Sequence, residues 1–66
     1  MEISMVYLNK ENVIKARETA SVEQVLRKAG INPQMVLVRK GGEIIPDTET
    51  LRDKDRIEVI RVVSGG

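Results

Sequence analysis

Residues 55–66 read DRIEVIRVVSGG, and the arrangement of the rest of the chain follows from this stretch. From Arg56 to Val63 the residues are almost all β-branched or long and charged, which is typical of a β-strand. The chain then ends on a diglycine, Gly65 and Gly66. Because glycine has no Cβ to restrict its backbone, we expect residues 64–66 to project from the domain as a flexible, slender C-terminal tail.

A carboxylate on Gly66 is ionised at neutral pH, with an ordinary pKa of about 3.5, and is inert until it is activated. If an enzyme joins it to an adenylate, its carbonyl carbon becomes open to a sulfur or nitrogen nucleophile. A side chain on Gly66 would crowd that carbon, and one on Gly65 would widen the peptide that the enzyme must accept. The tail therefore indicates a substrate for activation, with a frayed end of no function as the alternative.

The length of the chain allows one domain, which we place at residues 1–63. A domain of this size buries only about 60% of its unfolded surface, so all its elements must share one core. Apolar residues make up 41% of the chain and charged residues 32%, a globular composition. Tyr7 is the only aromatic residue, so the core is expected to be aliphatic.

The composition excludes several classes of function. The chain contains no cysteine and no histidine, so the common nucleophile and acid–base pairs are missing and we expect no enzyme activity. Its 11 basic and 10 acidic side chains are mixed along the sequence, which argues against direct binding of nucleic acid. The sequence shows neither a signal segment nor a membrane span, so we expect a cytoplasmic protein that does not bind membranes.

Apolar spacing predicts the elements before the last strand. Residues 2–8 alternate as a strand, 9–12 form a polar turn, and 13–18 resume an extended pattern, which together make a hairpin. Ser21 and Gln24 have the spacing of a capping box at the start of a helix that Gly30 ends. A third strand is predicted over residues 35–39, followed by a glycine turn and a short strand that ends before Pro46.

This order of elements implies an α+β fold with a mixed sheet of four to five strands and one helix across one face. The hairpin, the helix SVEQVLRKAG, the segment KGGEIIPDTETL, the turn DKDRIEV and the terminal VVSGG resemble a ubiquitin-like β-grasp protein. More narrowly, the chain is similar to the small prokaryotic and archaeal sulfur carriers of the thiamine, molybdopterin and tRNA-thiolation pathways. The resemblance extends over the whole chain.

The resemblance implies a carrier whose terminal glycine is adenylated by a partner enzyme that uses ATP and is then converted to a thiocarboxylate. Those roles fall on Gly66 and Gly65. The implied partners are the adenylating enzyme, a sulfur donor and a sulfur-accepting enzyme, and the chain itself is expected to be a monomer that binds no cofactor. Two alternatives stay open: a protein modifier that is joined through Gly66 to lysines of target proteins, and a plain interaction module.

Alternation also predicts a partner interface. If Ile3, Met5, Ile57 and Val59 face the helix, the residues between them face the opposite side of the sheet, which has no second helix to cover it. Exposed apolar patches commonly mark protein interfaces. The expected interface, with arginines at its rim, consists of Val6, Leu8, Val38, Arg39, Ile60, Arg61 and Val62.

Overall fold

The computed structural model of the protein describes residues 1–62. Gly65, Gly66 and the whole of the predicted tail lie outside the described residues. The elements of the described part are β1 (Glu2–Tyr7), β2 (Lys10–Lys15), α1 (Val22–Lys28), a 3-10 turn (Pro33–Met35), β3 (Val36–Lys40), β4 (Glu43–Ile45) and β5 (Arg56–Arg61).

The strands form one mixed sheet in the order β2-β1-β5-β3-β4. The two chain-terminal strands β1 and β5 run parallel at its centre, and every other neighbouring pair is antiparallel. The helix α1 packs across one face. This arrangement confirms the α+β, ubiquitin-like β-grasp fold that the sequence predicts. Within residues 1–62 no helix has both the length and the apolar composition of a membrane span.

The opening hairpin is present, but its turn consists of residues 8–9 and not of the predicted residues 9–12. The loop consists of Leu8 and Asn9, with φ angles of 52° and 62°, and Tyr7 pairs directly with Lys10. Two consecutive residues with positive φ form the tight loop whose twist matches that of the flanking strands. Asn9 tolerates this conformation, whereas a leucine in it is uncommon, so composition alone does not point to Leu8.

The helix begins and ends where the sequence predicts. The Ser21 side chain accepts a hydrogen bond from the backbone N–H of Gln24, and the Gln24 side chain accepts one from the N–H of Ser21. At the other end Gly30 has a φ of 79°, and the N–H of Ile31 donates to the carbonyl of Leu26 at 2.9 Å. Both ends are therefore fixed by local hydrogen bonds.

Strand β3 begins one residue later than predicted. Asn32 accepts a hydrogen bond from the N–H of Gln34 and so caps a 3-10 turn, which includes Met35. The glycine turn between β3 and β4 is confirmed, because Gly41 and Gly42 both have positive φ. Strand β5 ends at Arg61, before the predicted end at Val63, which lies outside the described residues.

The segment between β4 and β5 passes along the start of the helix. The carbonyl groups of Asp47 and Glu49 accept hydrogen bonds from the N–H groups of Glu23 and Val22, each at 2.9 Å. These N–H groups belong to the first helical turn and have no partner inside the helix. Leu51, an apolar residue of this segment, is buried. The segment is therefore joined to the helix by both backbone bonds and packing.

The core lies between the sheet and the helix and is aliphatic, as expected. Ile14 of β2 and Ala16 just after it are partly buried and pack against the core. The buried residues are Ile3, Met5, Ala20, Val22, Val25, Leu26, Val36, Val38, Leu51, Ile57 and Val59.

Candidate functional site

The candidate site is the face of the sheet opposite α1, called here the open face. Strand pairing assigns its residues, because partners in register point to the same side. In β1 and β5 the side chains between the buried residues face this way, and β3 contributes Leu37 and Arg39. The residues of the open face therefore come from strands that are far apart in the sequence.

Four of the exposed apolar side chains on this face lie next to one another and form the apolar patch. Leu37 pairs directly with Ile60, and their neighbours Ile44 and Val62 stand diagonally across the ladder. The exposed fraction is 46% for Leu37, 55% for Ile44, 39% for Ile60 and 40% for Val62. Binding of another protein over these branched aliphatic side chains would be favourable, because it would remove their apolar surface from water.

The apolar patch lies where the described chain ends. Strand β5 is held between β1 and β3, and its ladder with β3 continues past Arg61, because the N–H of Val62 donates to the carbonyl of Met35 at 3.0 Å. The last described residue is therefore bonded to the sheet. A protein that covers Ile60 and Val62 also sits beside the point from which residues 63–66 continue.

Ion pairs cross the open face next to the apolar patch. Arg39 on β3 donates to Glu58 on β5 at 2.8 Å, and Arg56 reaches Glu11 on β2 at 3.4 Å. The hydrogen bond from Arg39 holds the pKa of the Glu58 carboxyl below its ordinary value, and the same bond raises the pKa of Arg39. Both Arg39 and Glu58 are thus charged at neutral pH and give the patch a charged border.

Replacing Glu58 by glutamine is expected to lower stability in a pH-dependent way. A carboxyl whose pKa is lowered by folding adds stability above its unfolded pKa, about 4.3, and loses it as the pH falls through the folded value. The melting temperature of Glu58→Gln should therefore lie below that of the unaltered protein at pH 7, and the difference should shrink below about pH 4.

The matched control for this experiment is Glu43→Gln on the edge strand. Glu43 has no ion pair within residues 1–62, so its replacement should change the melting temperature little at any pH. A Glu58→Gln deficit that stays constant between pH 7 and pH 3 would show that the ion pair is not its cause.

Two of the predicted interface residues lie on the other side of the sheet. Val38 pairs with Val59 and is only 4% exposed, because it faces the helix with Val36. Arg61 pairs with Val36, so its side chain leaves β5 on the helix side, where it is exposed. The prediction that Val38 and Arg61 belong to the open face is therefore wrong, because the alternation of side chains along β3 and β5 places both of them on the helix side.

The other predicted residues keep an open-face or exposed position. Val6 is half-buried on the open face between Glu58 and Glu11, its partners on either side. Leu8 is exposed, but it belongs to the hairpin turn and not to β1. Arg39 lies on the open face in its pair with Glu58.

Sequence reasoning did not include Leu37 and Ile44 in the interface. If Val36 and Val38 are both placed in the core, the alternation of side chains along β3 places Leu37 on the open face. The face of Ile44 is harder to predict from the sequence, because Ile44 and Ile45 are adjacent and equally apolar. Only the pairing of Ile44 with Arg39 places Ile44 on the open face.

Asp53 and Asp55 both accept hydrogen bonds from backbone N–H groups at the turn before β5. Asp53 accepts a hydrogen bond from the N–H of Glu2 at 2.7 Å, and this bond lowers the pKa of Asp53. Asp55 accepts one from the N–H of Arg52 at 2.8 Å and pairs with Lys40 at 3.4 Å. In the part of the chain that the structure describes, no group of carboxylates is arranged to hold a metal ion.

Comparisons with known proteins agree with the fold. The family model described as the ThiS family matches residues 2–66. The chain is also similar to the sulfur carrier protein TtuB of Thermus thermophilus, with 27% identity over 59 residues. That match covers 89% of this chain and 91% of the relative.

Proposed function

The chain belongs to the ThiS family, and from this we propose that it is a sulfur carrier whose Gly66 is adenylated by a partner enzyme and then converted to a thiocarboxylate. The family match and the similarity to a sulfur carrier protein support the carrier role. The diglycine at residues 65–66, which lies outside the described residues, supports the choice of the reacting group.

The proposed chemistry takes place on the carboxylate of Gly66. Its oxygen attacks the α-phosphate of ATP in the partner enzyme, and pyrophosphate leaves. Hydrosulfide from the sulfur donor then attacks the carbonyl carbon of the acyl-adenylate, and AMP leaves with the electron pair of the broken C–O bond. Loss of the S–H proton gives the thiocarboxylate. The chain supplies the acyl group and the enzyme supplies the catalysis, so the chain is a substrate.

The fold would contribute by presenting the tail in a fixed place. Strand β5 is central in the sheet, and the hydrogen bond from Val62 to Met35 holds the last described residue to β3. The observation that carries the proposed docking mode is that the apolar patch adjoins this residue. In an enzyme that binds Ile60 and Val62, the tail would then start at a constant distance from the surface that contacts these two residues.

We propose the apolar patch and its Arg39–Glu58 border as the surface that the adenylating enzyme binds. The patch provides apolar area, and the ion pair gives a polar rim that favours one orientation. For the sulfur acceptor we propose an enzyme of tRNA thiolation or of thiamine or molybdopterin biosynthesis. These are the pathways of the carriers that the chain resembles.

The experiment is an intact-mass measurement on the protein purified from its own host without reducing or nucleophilic reagents. If the protein is a sulfur carrier, a fraction of it should have a mass that is higher by the difference between the atomic masses of sulfur and oxygen, as expected for a thiocarboxylate. A protein modifier should instead be recovered in isopeptide bonds to lysines of other proteins. Only unmodified carboxylate, in cells that are actively thiolating, would contradict both and favour a plain interaction module.

A further inference from the structure

The edge of the sheet next to β4 contains a gap. Strand β4 pairs only with Val38, Arg39 and Lys40, so β3 continues beyond it. Pro46 follows the last residue of β4, and the Asp47 carbonyl bonds to the helix at Glu23. The chain is thereby drawn away from β3 before it can pair with Val36 and Leu37.

The backbone of Val36 faces this gap. The carbonyl of Met35, just before β3, accepts a hydrogen bond from the N–H of Val62, just after β5, so the N–H and C=O of Val36 point in the opposite direction. That direction is the side on which β4 has already ended. The register of residues 1–62 thus gives Val36 no strand partner there. A donor and an acceptor at a strand edge form a template for another strand.

A shallow cleft of about 400 Å³ adjoins the gap, between β3, the segment after β4 and the end of the helix. Its floor is apolar and mostly buried, and Leu37 and Ile44 of the apolar patch border it. We call it the edge cleft. Among its lining residues are Leu26, Pro33, Val36, Ile45, Pro46 and Asp47.

Among residues 1–62, Asp47 is the one charged residue that lines the edge cleft. Asp47 is exposed, and within residues 1–62 its carboxylate has no ion pair. A carboxylate beside an apolar floor and a free strand edge favours an occupant that carries a positive charge at the matching position.

From this edge geometry and charge we propose that the edge cleft binds an extended segment of a partner protein, which adds as a strand beside β3. Its backbone bonds to the N–H and C=O of Val36. One apolar side chain enters the cleft over Leu26 and Ile45, and a lysine or arginine lies beside Asp47. Main-chain bonds supply affinity in this mode of recognition, and the pocket for alternate side chains supplies selectivity. The proposed binding does not depend on activation of Gly66.

The test uses a library of random linear peptides displayed on phage and selected against the full-length chain. We expect enriched peptides to share apolar residues next to lysine or arginine. Titration of an enriched peptide into the labelled chain should shift the backbone NMR signals of Val36, Ile45 and Asp47. N-methylation of alternate peptide nitrogens should abolish binding, because it removes the donors that strand addition needs.

Variants on the same edge provide the matched control. Asp47→Lys should weaken binding of the enriched peptide by about fivefold or more, since it replaces an attraction by a repulsion. Glu43→Lys changes the charge equally on β4 but outside the cleft, and should leave the affinity within about twofold. No enrichment, shifts confined to Ile60 and its neighbours, or equal binding by both variants would overturn the proposal.

Discussion

Removal of Gly65 and Gly66 is expected to abolish activation of the protein while its melting temperature stays nearly unchanged. The deletion takes away no side chain and none of the contacts of the described core. It leaves the terminal carboxylate on Ser64, recessed by about 7 Å of extended chain. An activating site that fits the full tail would not reach it. The measurement is ATP–pyrophosphate exchange with the cognate adenylating enzyme, together with thermal unfolding.

A chain extended by one residue after Gly66 is the control for length. It keeps both glycines, but the acyl group then belongs to a carbon that bears a side chain, and exchange should be lost just as fully. Equal exchange by the full-length, truncated and extended chains would mean that Gly66 is not the reacting end. The plain interaction module would then be the better interpretation.

Substitution by aspartate should have opposite consequences in the core and on the open face. Leu26 is fully buried between helix and sheet, and Leu26→Asp would place an unpaired charge there. The cost of several kcal/mol is comparable to the total stability of a domain this small, roughly 3–10 kcal/mol, so the variant should not fold. Val59→Asp should behave like Leu26→Asp, because Val59 is also buried.

Ile60→Asp should keep the fold and lose the partner. The Ile60 side chain is already partly in water, on the face without a helix, so its replacement buries no charge in the free protein. In the complex it would oppose burial of the apolar patch, and Kd for the adenylating enzyme should rise by about 30-fold, or about 2 kcal/mol. Circular dichroism and calorimetric titration measure the two effects. If Ile60→Asp unfolds the protein, the Ile60 side chain is needed for the fold, and the open face is not the exposed surface described here.

The helix could be predicted from the sequence because its signals are local. Ser21 and Gln24 cap each other within one turn, and Gly30 provides the positive φ that its end requires. Such signals involve residues a few positions apart, and tertiary contacts did not alter them. The turn before β5 has one such local bond, from the N–H of Arg52 to Asp55, whereas the bond that Asp53 accepts from Glu2 joins residues 51 positions apart.

The faces of β3 were harder to predict because they depend on distant partners. The sequence has Val36, Leu37 and Val38 as three adjacent apolar residues, and any alternate choice is locally acceptable. Pairing with β5 decides the choice by placing Val38 opposite the buried Val59. Because the alternation along β3 was predicted in the wrong phase, Val38 was assigned to the open face and Leu37 was left out of it. Likewise, the Arg39–Glu58 pair joins residues 19 positions apart and has no local signal.

The most direct test of sulfur transfer to Gly66 is the mass of the protein after reconstitution with its adenylating enzyme, ATP and sulfide. We expect oxygen to be replaced by sulfur once per chain, fragmentation to place the sulfur on Gly66, and omission of ATP to prevent the change. A mass that does not change while the enzyme consumes ATP, or sulfur found anywhere other than Gly66, would contradict the proposal that this chain carries sulfur on its terminal glycine.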